Sequence, residues 1–217
     1  MSPRTKQQNE SIREQRKQEI LKAAIQVYAA KGYSAAALSD VAEQAGLAHG
    51  LVYYYFKNKK KLFRELYEHM MDQSLHYTTA YFEQNVPALE QFKNYAVLVC
   101  ERVVKEPETQ RFYMRISLDL HHLYAPGELS PFEWMKRFIK PMAQAIDKGI
   151  QQGAIRQGDA NLMAMQFWGA VSQGMNYLDQ LAQDFAAQGW EETEMNNAMS
   201  EKFQQIAESA TSLFRPD

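Results

Sequence analysis

Apolar residues along this 217-residue chain return every three or four positions, the spacing that gathers them on one face of an α-helix. Nowhere do they settle into the alternation of a half-buried strand. Ile20, Ala23, Ala24, Val27 and Tyr28 share one face of a helix predicted over 12–31, which Gly32 ends. Two short helices follow. Leu38, Val41, Ala42 and Ala45 mark the first, and Gly46 stands where a helix end takes a left-handed residue, a conformation that costs glycine nothing. Leu47 packs the turn, and Leu51, Val52, Tyr55 and Phe56 mark the second helix, Ala48 to Phe56. A long helix begins near Lys59 and passes Tyr77, with Leu62, Phe63, Leu66, Met70 and Tyr77 inward. Pro87 suits the first turn of the next helix, which extends toward Val104, and Pro107 separates it from a helix holding Phe112, Ile116 and Leu120. After the loop Ala125-Pro126-Gly127, Ser130-Pro131-Phe132-Glu133 reads as a capping box with proline at the first helical position. That helix runs to Gly153 and is expected to bend at Pro141, where a hydrogen bond is lost. Asp159 caps a long helix to about Ala187, and a last helix spans 192–214. The pattern predicts an all-α fold.

Charge sharpens this picture. Residues 1–64 hold 12 Lys/Arg and 5 Asp/Glu, a net of +7, while the remaining 153 hold 12 and 21, a net of −9. The whole-chain value of −2 conceals the split. A basic N-terminal quarter is the footprint expected of a phosphate-binding surface. For residues 1–12 a solvated charged tail is the alternative, but Lys57 to Lys61 follow the second short helix directly. Two short helices joined by a glycine turn make a helix-turn-helix unit at 38–56, and in that unit the second helix enters the DNA major groove.

Residues 12–65 resemble the DNA-binding domain of TetR/AcrR-type bacterial transcriptional regulators. The resemblance rests on Gly32-Tyr33, Val41-Ala42-x-x-Ala45-Gly46-Leu47, Gly50-x-x-Tyr53-x-Tyr55-Phe56 and Lys59-x-x-Leu62. It implies an N-terminal three-helix DNA-binding domain over 1–58 and a larger helical effector-binding and dimerisation domain over 59–217. It further implies a cytoplasmic homodimer on a near-palindromic operator in double-stranded DNA, most often a repressor, released by a small-molecule effector. An activating or effector-independent DNA-binding protein is the alternative. Base reading then falls to Ala48, His49, Gly50 and Leu51, helped by Ser39. Tyr53 and Tyr54 donate hydroxyls to phosphates, and Tyr55 and Phe56 pack the reading helix onto its domain. Lys57, Lys59 and Lys60, near the next helix's N-terminus, hold phosphates and set register. The helix from Lys59 to about Phe82 runs from the DNA toward the effector region and is the expected lever.

The chain also departs from this family. Serine is usual where it has Ala48, threonine is common where it has Leu51, and a hydroxyl pair is usual at Ala36-Ala37. The helix from Leu38 therefore lacks a side-chain cap worth about 1 kcal/mol. Direct readout leans on His49 and on Leu51 against a thymine methyl, unless Leu51 packs inside the domain.

Beyond residue 65 the signal is compositional. Methionine and aromatic side chains suit a plastic apolar cavity, and Phe112, Met135, Phe138, Met142, Trp168 and Met175 are the candidate lining for a hydrophobic effector. By spacing alone the same residues read as ordinary core. Gly169, Ala170, Ser172 and Gly174 let helices approach closely, either within the chain or in a four-helix bundle with a second copy. His69, Asp72 and His76 share a helical face and imitate a metal site, although such groups on a long helix usually form a solvated face. No catalytic motif points to an enzyme, and no cofactor or metal is expected. No apolar run nears 18 residues, so no membrane span is expected, and the polar N-terminus does not read as a signal peptide. The single cysteine, Cys100, excludes an internal disulfide, fits a reducing cytoplasm and reads as a buried thiol.

Overall fold

The computed structural model describes residues 6–216, and among them the chain forms nine helices and no strand. Helix α1 is Lys6–Ala35, broken at Gly32, where φ of 70° turns the chain. It starts earlier than 12 because residues 6–19 are mostly strong helix formers, even without an apolar face. Gln18 donates to Glu14 at 2.8 Å, and Arg16 to Glu19 at 2.6 Å, along this exposed stretch. Part of the alternative charged tail, residues 1–5, lies outside the described residues.

Helices α2 (Leu38–Gln44) and α3 (His49–Tyr55) are joined as the spacing predicts. Gly46 has φ of +64°, and the Gly46 and Leu47 amides donate back to Glu43 and Ala42 at 3.0 and 2.9 Å. This pairing closes the last turn of α2. Helix α4 is Lys59–Phe82, and its start is capped by Asn58, whose side-chain oxygen accepts the Lys61 amide at 2.8 Å. Helices α5 (Ala88–Lys105) and α6 (Pro107–Leu123) follow, with Pro87 just ahead of α5 rather than within its first turn.

Helix α7 is Pro131–Gln151. Ser130 accepts the Glu133 amide at 3.2 Å, but the Glu133 carboxylate turns to Lys136 at 2.9 Å, so half of the expected capping box forms. The helix continues through buried Pro141, which has no amide hydrogen for the Arg137 carbonyl. Asp159 caps α8 (Ala160–Ala187) by accepting the Leu162 amide at 3.0 Å, and α9 is Glu192–Ser212.

The chain divides into two compact units. The first holds the residues up to Met71 together with Arg111–Leu129, and the second holds Asp72–Gln110 with Ser130–Asp217. The division falls inside α4 and in the first turns of α6, not between 58 and 59. Packing explains the first unit: Tyr28 of α1 meets Phe63 of α4 at 5.4 Å and Phe112 of α6 at 5.1 Å, so these helices share one core. In the second unit, Phe92 of α5 meets Phe167 of α8 at 4.9 Å and Phe214 at 4.7 Å, at the centre of a large apolar cluster. A smaller cluster there contains Cys100, Val103, Leu178, Met199 and Phe203.

Candidate nucleic-acid interface

Helix α3 sorts its residues into two faces. Val52 (0% exposed), with Phe56 just beyond the helix, is buried in the first unit, whereas His49, Gly50, Tyr53 and Tyr54 are exposed, Tyr54 at 70%. Tyr53 and Tyr54 therefore present two adjacent phenolic hydroxyls to the outside of the chain. Ala48, ahead of the helix, is also exposed, while Leu51, Tyr55 and Ser39 are half-buried. Tyr54 and Tyr55 meet edge to face at 5.5 Å, so half-buried Tyr55 braces the outer ring.

The hydroxyl cap of α2 is missing, but the other half of a capping box forms. Ala37 offers no side-chain oxygen, but the Asp40 carboxylate accepts the Ala37 amide at 3.0 Å and pairs with Lys31, also at 3.0 Å. The Lys31 ammonium, then the Ala37 amide, hold the Asp40 carboxyl below its usual range. Sequence reasoning missed this; the signal was an aspartate three residues into a helix that lacks a capping hydroxyl.

The turn leading into α2 is gripped from two other helices of the same unit. On α6, Asp119 accepts the Tyr28 hydroxyl at 2.6 Å and the Tyr33 amide at 3.4 Å, and Arg115 donates to the Ala29 carbonyl at 2.7 Å. Burial, then the Asp119 hydrogen bond, push the Tyr28 phenol well above its usual value, so Tyr28 remains a donor. The Tyr33 ring stacks on His122 at 5.0 Å and 11°. From α4, the Lys59 ammonium donates to the Tyr33 and Ser34 carbonyls at 2.8 and 3.1 Å and lies 4.6 Å from the Tyr33 ring. Lys59 is thus half-buried and engaged, while Lys57 and Lys60 are exposed.

The effector candidates separate. Phe138 and Met142 are fully buried in the second unit's large cluster, with Met135, Trp168 and Met175 half-buried against it. Phe138 stacks on Trp134 at 5.0 Å and meets Trp168 edge-on at 4.7 Å. Phe112 is not among them: it is fully buried in the first unit beside Tyr28. Half-buried Tyr77, Tyr81 and Trp134 border the same cluster, Tyr77 facing inward as its spacing predicts and Trp134 one helical turn before Phe138. Arg102 caps the Tyr77 ring at 3.9 Å.

Among the described residues, no group of three His, Cys, Asp or Glu side chains is placed to hold a metal ion. Nor is any helix long and apolar enough to cross a membrane. Burial pushes the Cys100 thiol up to about 12.

Residues 20–66 match the family described as bacterial regulatory proteins, tetR family. The chain is 24% identical over 164 residues to the fatty acid metabolism regulator protein of Bacillus subtilis, covering 71% of this chain and 79% of that protein. It is 27% identical over 139 residues to the HTH-type transcriptional regulator AcrR of Shigella flexneri, covering 63% and 61%. Among solved structures, its fold is similar to that of the transcriptional regulator FadR from Bacillus subtilis in complex with stearoyl-CoA, with a TM-score of 0.68 and 21% identity over 91% of this chain and 99% of that one.

Proposed function

We propose that this chain, a TetR-family transcriptional regulator, is a repressor that binds a near-palindromic operator as a homodimer and leaves it on binding a hydrophobic effector of the long-chain acyl thioester class. The observation that carries the DNA reading is the exposed row His49, Gly50, Tyr53 and Tyr54 over buried Val52 and Phe56, in a quarter of the chain with a net charge of +7. His49 and Leu51 read bases, and Tyr53, Tyr54, Lys57 and Lys60 hold phosphates. A two-fold dimer presents its two reading helices about 34–36 Å apart, one turn of DNA. The apolar row Leu162, Met165 and Tyr177 on the outer side of α8, with exposed Gly169 between, supports a second copy as the partner of that helix.

Two observations support the effector class. The second unit borders its aromatic core with half-buried Tyr77, Tyr81, Trp134, Met135 and Trp168, apolar side chains of the kind that contact an alkyl chain. The FadR of similar fold was solved with stearoyl-CoA. Helix α4 contributes residues to both units and is the route by which effector binding reaches the DNA side. An effector that prefers one dimer state shifts DNA affinity by that preference alone.

The test is fluorescence anisotropy on a duplex from upstream of the protein's own gene, beside a scrambled duplex, at two salt concentrations, followed by titration with stearoyl-CoA. Tight binding to the first duplex, one dimer per site, released by the thioester, is the expected result. Equal, steeply salt-dependent binding to both duplexes would leave only phosphate contacts and overturn the operator reading. Operator binding indifferent to stearoyl-CoA, octanoyl-CoA and free stearate would overturn the effector class.

A further inference from the structure

We infer that Lys59 is a positioning residue that clasps the way into the helix-turn-helix to the way out, and that it is not one of the phosphate contacts. The inference rests on this chain binding DNA through α3.

Where α1 ends, its last carbonyls have no intrahelical partners. The amide four residues beyond Tyr33 belongs to Ala37, and it is diverted to the Asp40 carboxylate at 3.0 Å. The Tyr33 carbonyl is therefore short of the amide that a continuing helix would supply. Lys59 takes that place, donating at 2.8 Å to Tyr33 and at 3.1 Å to Ser34. A cation at this point also matches the negative end of a helix. Two of its three ammonium hydrogens are committed, and the charge lies 4.6 Å from the Tyr33 ring, whose other contacts are the His122 stack at 5.0 Å and Phe63 at 5.8 Å.

The chain order gives this contact its consequence. Tyr33 and Ser34 lie five and four residues before α2 begins, and Lys59 is the first residue of α4, four residues after α3 ends. One ammonium thus ties together both ends of the segment that presents the reading helix. The neighbouring lysines differ: Lys57 and Lys60 are exposed. They are the ones placed to give up counterion-exchanging contacts to a phosphate backbone.

A phosphate contact and a clasp leave different signatures in salt. Losing a phosphate contact reduces the slope of log affinity against log salt by about 0.9, so by about 1.8 for the two copies in a dimer. Losing a clasp weakens binding at every salt concentration and leaves the slope alone. The experiment measures full-length wild type, Lys59→Met, Lys59→Arg and Lys60→Met on the duplex from upstream of the gene, from low to high salt. The expected result is roughly tenfold weaker binding for Lys59→Met with an unchanged slope, and a reduced slope for Lys60→Met. Lys59→Arg keeps the charge that any phosphate would need but not a compact ammonium that fits under two adjacent carbonyls, so it too binds weakly with an unchanged slope. Circular dichroism identifies any variant that has lost its helices, and Lys59→Arg then carries the test. A slope reduced in Lys59→Met and restored in Lys59→Arg overturns the inference, as does wild-type affinity in Lys59→Met. Absence of salt-dependent binding in the wild type would instead overturn the DNA-binding reading itself.

Discussion

Gly174, in the middle of α8, offers a measurable test of how tightly α8 and α9 pack. A β-carbon built there would lie 2.5 Å from Ile206 Cγ2 and 3.0 Å from both Cγ1 and Cδ1. Isoleucine on a helix has essentially one χ1 rotamer, so Ile206 cannot swing its branch aside, and α9 itself must shift. Such overpacking costs about 1–3 kcal/mol. Replacing a mid-helix glycine by alanine returns about 1 kcal/mol of helix propensity. Gly174→Ala alone is therefore expected to be destabilising by roughly 0–2 kcal/mol, a range too wide to test anything by itself. The double-mutant cycle removes the ambiguity. Ile206→Ala deletes all three contacting atoms, so in that background Gly174→Ala keeps only its helical gain and stabilises by about 1 kcal/mol. The two substitutions should couple by about 1–3 kcal/mol. Urea unfolding of the four proteins at one fixed concentration measures the coupling. Additivity within about 0.3–0.5 kcal/mol would refute this account of the α8–α9 contact.

Three further outcomes are expected. Selection of binding duplexes from a random pool should return A·T pairs where Leu51 faces a base, because its apolar side chain meets the thymine methyl; uniform G·C pairs there would end that reading. Cys100, fully buried with its thiol pushed up to about 12, should resist a thiol-specific reagent in the folded protein and react once per chain in urea; rapid labelling of the folded chain would refute its burial. Asp40, held below its ordinary value of 3.8 by Lys31 and then the Ala37 amide, lends stability that is present above pH 3.8 and lost as pH falls through its lower folded-state value. The difference in urea midpoint between wild type and Asp40→Asn should shrink over that acid range, and a constant difference would show that the carboxylate charge plays no part.

The helices were legible in the sequence because amphipathic spacing, prolines and glycine ends are local signals. Gly32 breaks α1 with φ of +70°, Gly46 follows the end of α2 with φ of +64°, and Asp159 caps α8 as its position predicts. The exposed row His49, Gly50, Tyr53 and Tyr54 was legible for the same reason, since Val52 and Phe56 fix which face of α3 is inward. What escaped depends on contacts between distant residues. Nothing near Asp119 announces that it will meet Tyr28, 91 positions away, and Phe112 looks like its neighbours in composition while packing in the first unit. The lysines of 57–61 are chemically alike in sequence; only the carbonyls left bare at the end of α1 distinguish Lys59 from the rest. The glycines of α8 likewise divide only in three dimensions: Gly174 meets Ile206 of the same chain, and Gly169 has nothing within 4 Å.

The two faces of α3 have a meaning for how such a protein changes its target. Val52 and Phe56 anchor the helix while His49, Gly50, Tyr53 and Tyr54 stay exposed, so the residues that hold the fold and those that face outward are interleaved yet separate. On the DNA-binding reading proposed above, substitutions at His49, Gly50, Tyr53 or Tyr54 are expected to change the target without unsettling the anchors beneath.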